Sequence, residues 1–266
     1  MVEVERGCLE HKRQRTTADK GEGPLICACD PGVKTLAAVV APGVGLQALW
    51  GTDKMVRFNE FLHEIDAINR VADEANSRTR YHLRHGRIAR LWKQLHNMVG
   101  ELHLKLCHWL CQNFDVILWP EFAVSEMMKR FPSRGGRRAM SSDTTRHMQT
   151  WSFSKLEKTL FLKAKEYGVQ VVRVSEAYTT QFCVCGHREH HSLGERQITC
   201  PQCDLFDVDR DIRSAYSVYL CFLTTVNDLG LMDEEKKKQP TSALVLSRDS
   251  YIPHGSVTIT GGSIHS

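Results

Sequence analysis

The chain has 266 residues, of which 42% are hydrophobic, and its formal net charge is +4. This size and composition allow one sizeable domain with a packed core, alone or with a small appendage. No segment reaches the roughly 18 apolar residues of a membrane span, and residues 1–15 lack the apolar core of a signal peptide. We therefore expect an intracellular protein with no membrane partner. The mild positive charge is compatible with nucleic acid without establishing it.

Apolar runs and turn residues predict the elements in chain order. Residues 1–24 form a polar tail. Strands are predicted at 25–30, 35–40 and 46–50, and their short turns indicate an antiparallel meander. Residues 56–113 follow a helical period, with an apolar stripe at Ile88, Leu91, Leu95, Met98, Leu102 and Leu106. A fourth strand at 115–119, a helix at 151–167, a fifth strand at 169–174 and a last helix near 209–223 complete the pattern.

Three antiparallel strands followed by two helix–strand units are typical of an RNase H-like α/β fold, a mixed sheet flanked by helices. We predict this core at 25–177 and 207–223, with a helical insert at about 56–113. A zinc ribbon at 178–206 interrupts the core. Residues 224–266 are expected to be a disordered tail.

Acidic residues stand at the predicted strand ends. Asp30 ends the first strand, Glu121 follows the fourth and Glu176 follows the fifth, while Asp209 and Asp211 open the last helix. Ligands of open α/β sheets gather at the carboxyl ends of strands. Carboxylates crowded there favour Mg²⁺ or Mn²⁺, and two such ions support phosphodiester hydrolysis. Each acid also has a structural alternative: Asp-Pro-Gly is a common turn, and an acid at a helix start is usually a cap.

Four of the ten cysteines form two close pairs, Cys183 with Cys185 and Cys200 with Cys203. Such pairs predict a four-cysteine structural Zn²⁺ site. The first pair is C-x-C, one residue shorter than the usual knuckle, and His187 is an alternative ligand to Cys185. Five others, Cys27, Cys29, Cys107, Cys111 and Cys221, are expected to fill apolar positions.

Two basic stretches are candidates for nucleic-acid contact. The first contains Lys129, Arg130, Arg134, Arg137, Arg138 and Arg146, and it follows the predicted fourth strand. Its arginines could hold phosphates, and Gly135 and Gly136 allow close backbone approach. The second is the charged helical region around residues 78–93. For either stretch the alternative is a solvated charged surface.

Four motifs in order resemble one known family. DPGVKTLAAVV (30–40) and VILWPEFAVSEMM (116–128) resemble the first two RuvC motifs of the TnpB and Fanzor transposon-encoded RNA-guided nucleases. VVRVSEAYTTQFCVCG (171–186) resembles their strand and first zinc knuckle. ITCPQCDLFDVDRDIRSA (198–215) resembles the second knuckle and the third RuvC motif. The resemblance covers residues 25–223 and extends distantly to type V CRISPR effectors.

The resemblance implies a DNA endonuclease with Asp30 and Asp211 as the first and third catalytic acids. For the middle acid it favours Glu176, because an alignment through the second motif puts Pro120 on the expected glutamate and Glu121 one place late. Glu121 stays open as the alternative. Arg213 stands where relatives usually carry Asn.

The resemblance also implies DNA and a guide RNA as partners, and it suggests a nuclear location. Only about 25 residues precede the first motif here, whereas relatives carry a large N-terminal region that grips RNA and DNA. The alternative function is therefore an inactive nucleic-acid-binding module with a structural zinc ribbon.

Overall fold

A computed structural model describes residues 23–121, 141–174, 197–198, 202 and 208–228. Its strands are β1 (Ile26–Asp30), β2 (Ala37–Ala41), β3 (Leu46–Trp50), β4 (Val116–Pro120) and β5 (Gln170–Val174). They form one sheet in the order β3-β2-β1-β4-β5. The first three strands pair antiparallel, and β4 lies parallel to both β1 and β5. The predicted meander is confirmed, and the first strand pairs with the fourth.

The helices of the described residues are α1 (Met55–Glu74), α2 (Ser77–His82), α3 (Ala89–Asn113), α4 (Ser142–Trp151), α5 (Phe153–Tyr167) and α6 (Arg210–Asp228). A π-helical segment, Leu83–Ile88, joins α2 to α3. Two short strands, β6 (Gln197–Ile198) and β7 (Val208–Asp209), pair antiparallel just before α6. None of the described helices is both long and apolar enough to cross a membrane.

Helices cover both faces of the sheet. Side chains alternate along a strand, so Cys27 and Cys29 of β1 pack with α1, α3, α4 and α5 on one face. Ala28 points to the other face and packs with Ile212 and Ala215 of α6. The face that packs against α6 is called the α6 face below. The predicted mixed sheet with flanking helices is confirmed.

The apolar stripe of α3 is also confirmed. Leu91, Leu95, Leu102 and Leu106 are buried against the sheet, because residues three and four positions apart share one side of a helix. The buried thiols of Cys107 and Cys111 extend the same stripe. As expected, the four cysteines of β1 and α3 are core residues.

The region before β5 differs from the prediction. Residues 142–146, expected in a loop, belong to α4, whose N-cap Ser141 accepts a hydrogen bond from the Thr144 N–H. The predicted helix at 151–167 starts after a break at Ser152, which adopts φ 52° between α4 and α5. The last helix continues to Asp228, beyond the expected end at 223.

Candidate acidic site

Asp30 is the last residue of β1 and is half-buried. Since Ile26 and Ala28 lie on the α6 face, the alternation of the strand puts Asp30 on that face as well. The carboxyl ends of β1 and β4 meet at the same edge because the two strands are parallel. Asp30 therefore lies at the carboxyl edge of the sheet and on the α6 face.

Asp211 lies in the first turn of α6 and is only 6% exposed. Its Oδ2 accepts a hydrogen bond from the Thr35 hydroxyl, with 3.0 Å between the oxygens. A Cβ built on Gly32 would lie 3.8 Å from the same Oδ2. The loop that begins two residues after Asp30 thus contacts the Asp211 carboxylate directly. The two acids predicted as first and third lie at one edge of the sheet.

The loop between β1 and β2 is held from several sides. The Trp151 indole Nε1 donates to the Val33 carbonyl at 2.9 Å. The Leu36 N–H donates to the Trp50 carbonyl at 2.9 Å. Gly32 tolerates no larger residue easily, since an added Cβ would lie 3.1 Å from the Thr35 carbonyl oxygen. These contacts fix the path of the chain from Asp30 to Thr35.

His103 of α3 supports Trp151 from below. Its Nε2 donates to the Trp151 carbonyl at 2.9 Å, and the ring is 1% exposed. Burial lowers the pKa of His103 to about 4, so the imidazole is neutral at physiological pH. A neutral ring suits a site with apolar surroundings because it carries no charge that would need solvation.

A cap and one basic side chain lie beside Asp211. The Asp209 carboxylate accepts a hydrogen bond from the Asp211 N–H at 2.9 Å, so the expected cap at the start of α6 is present. The Arg210 Nε lies 3.9 Å from Asp211 Oδ1. This positive charge favours the ionised form of the Asp211 carboxyl group.

The alternation of side chains along β4 places Glu121 on the face opposite Asp30 and Asp211. Val116 and Leu118 lie on the α6 face, and Pro120, which is buried, follows them by even spacing. Glu121 follows Ile117 and Trp119, which pack on the opposite face. Its side chain is exposed, while its N–H donates to the Val174 carbonyl at 2.9 Å. Pro120 therefore occupies the α6-face position at this end of β4.

Several predicted site residues lie outside the described residues: Glu176, Cys183, Cys185, Cys200, Cys203, Lys129, Arg130, Arg134, Arg137 and Arg138. Their roles stay predictions. Arg146 is described, and its guanidinium pairs with Asp66 of α1 at 2.5 Å and contacts the Leu62 carbonyl. This contact joins α4 to α1. The Arg146 side chain, which was predicted to bind phosphate, is thus engaged in a contact within the protein.

The donor set at the edge suits a hard cation. Asp30 and Asp211 offer carboxylate oxygens, the ligands that Mg²⁺ and Mn²⁺ prefer. In the part of the chain that the structure describes, no three His, Cys, Asp or Glu side chains group as a metal site. A complete metal centre here needs a ligand from residues beyond that part or from a bound substrate.

The sequence did not single out Thr35 or Trp151 as site residues. Thr35 is fully buried and its hydroxyl reaches a partner 176 positions away, so no local pattern identifies it. Trp151 resembles an ordinary apolar helix residue in the sequence. Its indole N–H, which must find an acceptor when buried, was the available signal.

Known proteins share the fold and the motifs of this chain. The family model described as Cas12f1-like, TNB domain, matches residues 153–218. The matched range runs from the start of α5 into α6. It includes Asp211, Glu176 and both predicted cysteine pairs.

Three curated relatives are the TnpB-like proteins L79, L770 and R854 of Acanthamoeba polyphaga mimivirus. Each is 26% identical over 199 residues, which cover 72% of this chain and 36% of the relative. The chain thus spans about a third of the length of the curated relatives it matches.

A cryo-EM structure of a Cas12f1–sgRNA–target DNA complex matches the fold with a TM-score of 0.52 and 16% sequence identity. The match covers 75% of this chain and 50% of that chain. The fold is a mixed sheet flanked by helices. The chain is similar to TnpB-like and Cas12f1-like proteins, and the resemblance seen in its motifs is confirmed.

Proposed function

We propose that this chain is an RNase H-like, RuvC-type nuclease core that hydrolyses phosphodiester bonds of DNA with divalent metal ions. The observation that carries the proposal is that the buried Asp211 is hydrogen-bonded to Thr35, in the loop that follows Asp30 at the carboxyl edge of β1. Two carboxylates held at the ends of different elements are a costly arrangement unless a cation uses them.

The residues divide the work as follows. Asp30 and Asp211 would hold the cations, and the Thr35 hydroxyl holds Oδ2 of the Asp211 carboxylate in place. Mg²⁺ bound there would activate a water and stabilise the leaving oxygen. Arg210 lies beside the site and can contact a phosphate of the substrate.

Glu176 is proposed as the third acid. It follows Val174 of β5 by two positions, and Val174 lies on the α6 face. A chain that stayed extended would return Glu176 to that face by the strand alternation. Glu121 has the opposite parity, and Pro120 fills the nearest place on β4, so Glu121 is the weaker alternative.

The remaining proposals follow the relatives. Cys183, Cys185, Cys200 and Cys203 are proposed to bind a structural Zn²⁺, since the matched family domain contains all four. DNA is the proposed substrate and a guide RNA a further partner, because the structural neighbour was solved with sgRNA and target DNA.

A second function has one specific observation in its favour. Pro120 stands on the α6 face where the resemblance implies a glutamate. If no other acid replaces it, the pair of aspartates binds metal too weakly for chemistry. The protein is then an inactive module that holds nucleic acid.

The test is cleavage of labelled single- and double-stranded DNA by zinc-loaded protein in Mg²⁺ or Mn²⁺. Asp30→Asn and Asp211→Asn are expected to reduce the rate at least 100-fold, because each removes a charged ligand. Glu176→Gln is expected to do the same, and Glu121→Gln to change the rate less than threefold. Folded wild-type protein that cleaves nothing, with or without RNA, would favour the binding module. Loss of cleavage in Glu121→Gln but not in Glu176→Gln would reverse the assignment of the third acid.

A further inference from the structure

A strongly basic helical hairpin lies between β3 and β4. Residues 75–100 contain six Lys or Arg and no Asp or Glu. These residues comprise the junction after α1, α2, the π-helical segment and the first half of α3. The segment 75–96 is called the basic arm below, and it packs on the end of α1.

Part of the positive charge of the basic arm stabilises the arm itself. Arg80 donates to the carbonyls of Ala72, Asp73 and Ala75, which end α1. Arg84 pairs with Asp73 at 2.6 Å, and Arg87 pairs with Glu64 of α1 at 3.2 Å. These contacts hold α2 and the π-helical segment against α1.

Other cations of the arm face solvent. Arg78 and Lys93 are exposed, and neither forms an ion pair with a carboxylate of the described residues. Tyr81 is 61% exposed and stands among rings, with its centroid 4.4 Å from that of His85 and 5.9 Å from that of His82. An exposed tyrosine ring close to Lys and Arg side chains can stack on a nucleic-acid base while those side chains bind phosphates.

The arm continues α3, which packs on the face of the sheet opposite α6, and it starts near the edge that carries the acids. His103 of α3 contacts Trp151, whose indole reaches the loop after Asp30. The C-terminal end of α3 leads to the start of β4 at the opposite edge. The N-terminal half of α3, from Ala89 to His103, therefore extends beyond the acidic edge of the sheet. At a rise of 1.5 Å per residue, this part is about 20 Å long.

We infer that the basic arm binds single-stranded nucleic acid and leads it to the acidic edge. Arg78 and Lys93 contact phosphates, and Tyr81 stacks on an unpaired base. A duplex offers phosphates but no free base face, so it uses the cations alone. A membrane surface fits less well. An interfacial helix needs a row of exposed apolar side chains, whereas α2 and the π-helical segment expose one large apolar side chain, Tyr81. The part of the inference in which the bound strand reaches the acids rests on the proposed nuclease function. Binding of the strand to the arm does not.

Binding is tested with the full zinc-loaded chain and no added Mg²⁺, so that cleavage does not intervene. The probes are fluorescein-labelled single strands of DNA and RNA and a duplex of the same sequence, followed by anisotropy over a range of KCl. Arg78→Gln combined with Lys93→Gln should weaken binding of all three probes. Removing two phosphate contacts should lower the salt slope for single strands by about 1.4. The matched control, Lys155→Gln with Lys158→Gln, removes two exposed charges from α5 and should leave the slope unchanged.

The stacking role of Tyr81 has its own comparison. Tyr81→Ala should weaken single-strand binding at least fivefold and duplex binding less than twofold, whereas Tyr81→Phe should bind as the wild type. Equal effects of the arm and control double variants would overturn the inference. So would equal losses for single strand and duplex in Tyr81→Ala, or competition by poly-L-glutamate as strong as that by the unlabelled strand. A protein that binds as expected but does not cleave would remove the nuclease proposal and keep the arm.

Discussion

The Thr35 hydroxyl connects the loop after Asp30 to Asp211. It is fully buried, and its bond to Oδ2 is 3.0 Å long. A buried carboxylate that loses a donor bears the desolvation cost without compensation. The hydroxyl thus stabilises the fold and also fixes the direction of the second carboxylate oxygen.

Thr35→Val keeps the shape of the side chain and removes the donor. We expect it to lower the free energy of unfolding by about 1–3 kcal/mol, and Thr35→Ser to recover most of the loss. Urea unfolding followed by circular dichroism measures both. Thr159→Val removes a hydroxyl that bonds only within α5 and should change stability by less than about 0.5 kcal/mol. A Thr35→Val protein as stable as Thr159→Val would show that the bond contributes nothing.

Single residues of the site differ in how far the sequence reveals them. Asp30 and Asp211 stand at a strand end and a helix start, which are local patterns, and both lie where they were predicted. The misplacement of Glu121 also followed from a local rule, the period of two in a strand. Thr35 escaped prediction because its partner is brought to it only by the packing of α6 on β1.

Among the elements, α3 and α4 meet at a histidine whose protonation opposes folding. Burial lowers the pKa of His103 from 6.5 to about 4. The folded protein therefore favours the neutral ring. Between these two values the unfolded chain binds the proton that the folded chain excludes, so stability rises with pH across the interval.

Stability should accordingly fall as the pH is lowered from about 6.5 to 4, by up to about 3 kcal/mol from this residue. The measurement is the urea midpoint at intervals of pH for the wild type and for His103→Gln, which removes the titrating ring. The variant should lose much of the decline over this interval. His96→Gln, at an exposed position of the same helix, should keep the wild-type profile. Identical profiles for wild type and His103→Gln would show that the buried ring does not control acid stability.

Prediction at the level of elements worked where one face is apolar. The spacing of apolar residues in the sequence predicts the buried stripe of α3 and the short apolar strands. The start of α4 was missed because residues 141–146 are polar and follow a basic run, although Ser141 with Thr144 is a capping pattern. The break at Ser152 was missed because a serine with positive φ has no reliable sequence signal.

Across the whole molecule, four thiols connect β1 to α3 beneath the sheet. Cys27, Cys29, Cys107 and Cys111 are all fully buried. Burial raises the pKa of Cys27 and of Cys107 well above the usual range for a thiol. The protonated thiol is a poor nucleophile, so Cys27 and Cys107 are inert while the core is closed. Burial also keeps reagents from all four thiols.

Alkylation with iodoacetamide at pH 8, followed by peptide mass mapping, should therefore leave these four cysteines unlabelled in native protein. In 6 M guanidinium chloride all four should react, because unfolding exposes them together. The partly exposed Cys221 of α6 is the internal control and should react first. Labelling of one of the four at the rate of Cys221 would indicate local opening of β1 or α3.

The sheet as a whole could be anticipated because its connections are few: a meander and two parallel crossovers allow little besides the observed order. The path of the basic arm could not, since its helices gain their positions from ion pairs such as Arg87 with Glu64. Pairs of that kind leave no periodic trace in the sequence.

The contact between Thr35 and Asp211 joins positions 176 apart, and this separation sets when the acidic pair can form during synthesis. At ~5–20 residues per second, a ribosome needs roughly 10–35 s to make the chain between the two residues. Throughout that time the nascent chain contains Asp30 but not α6. A growing chain thus carries no assembled acidic pair, and any message cut short before codon 211 yields a protein without one.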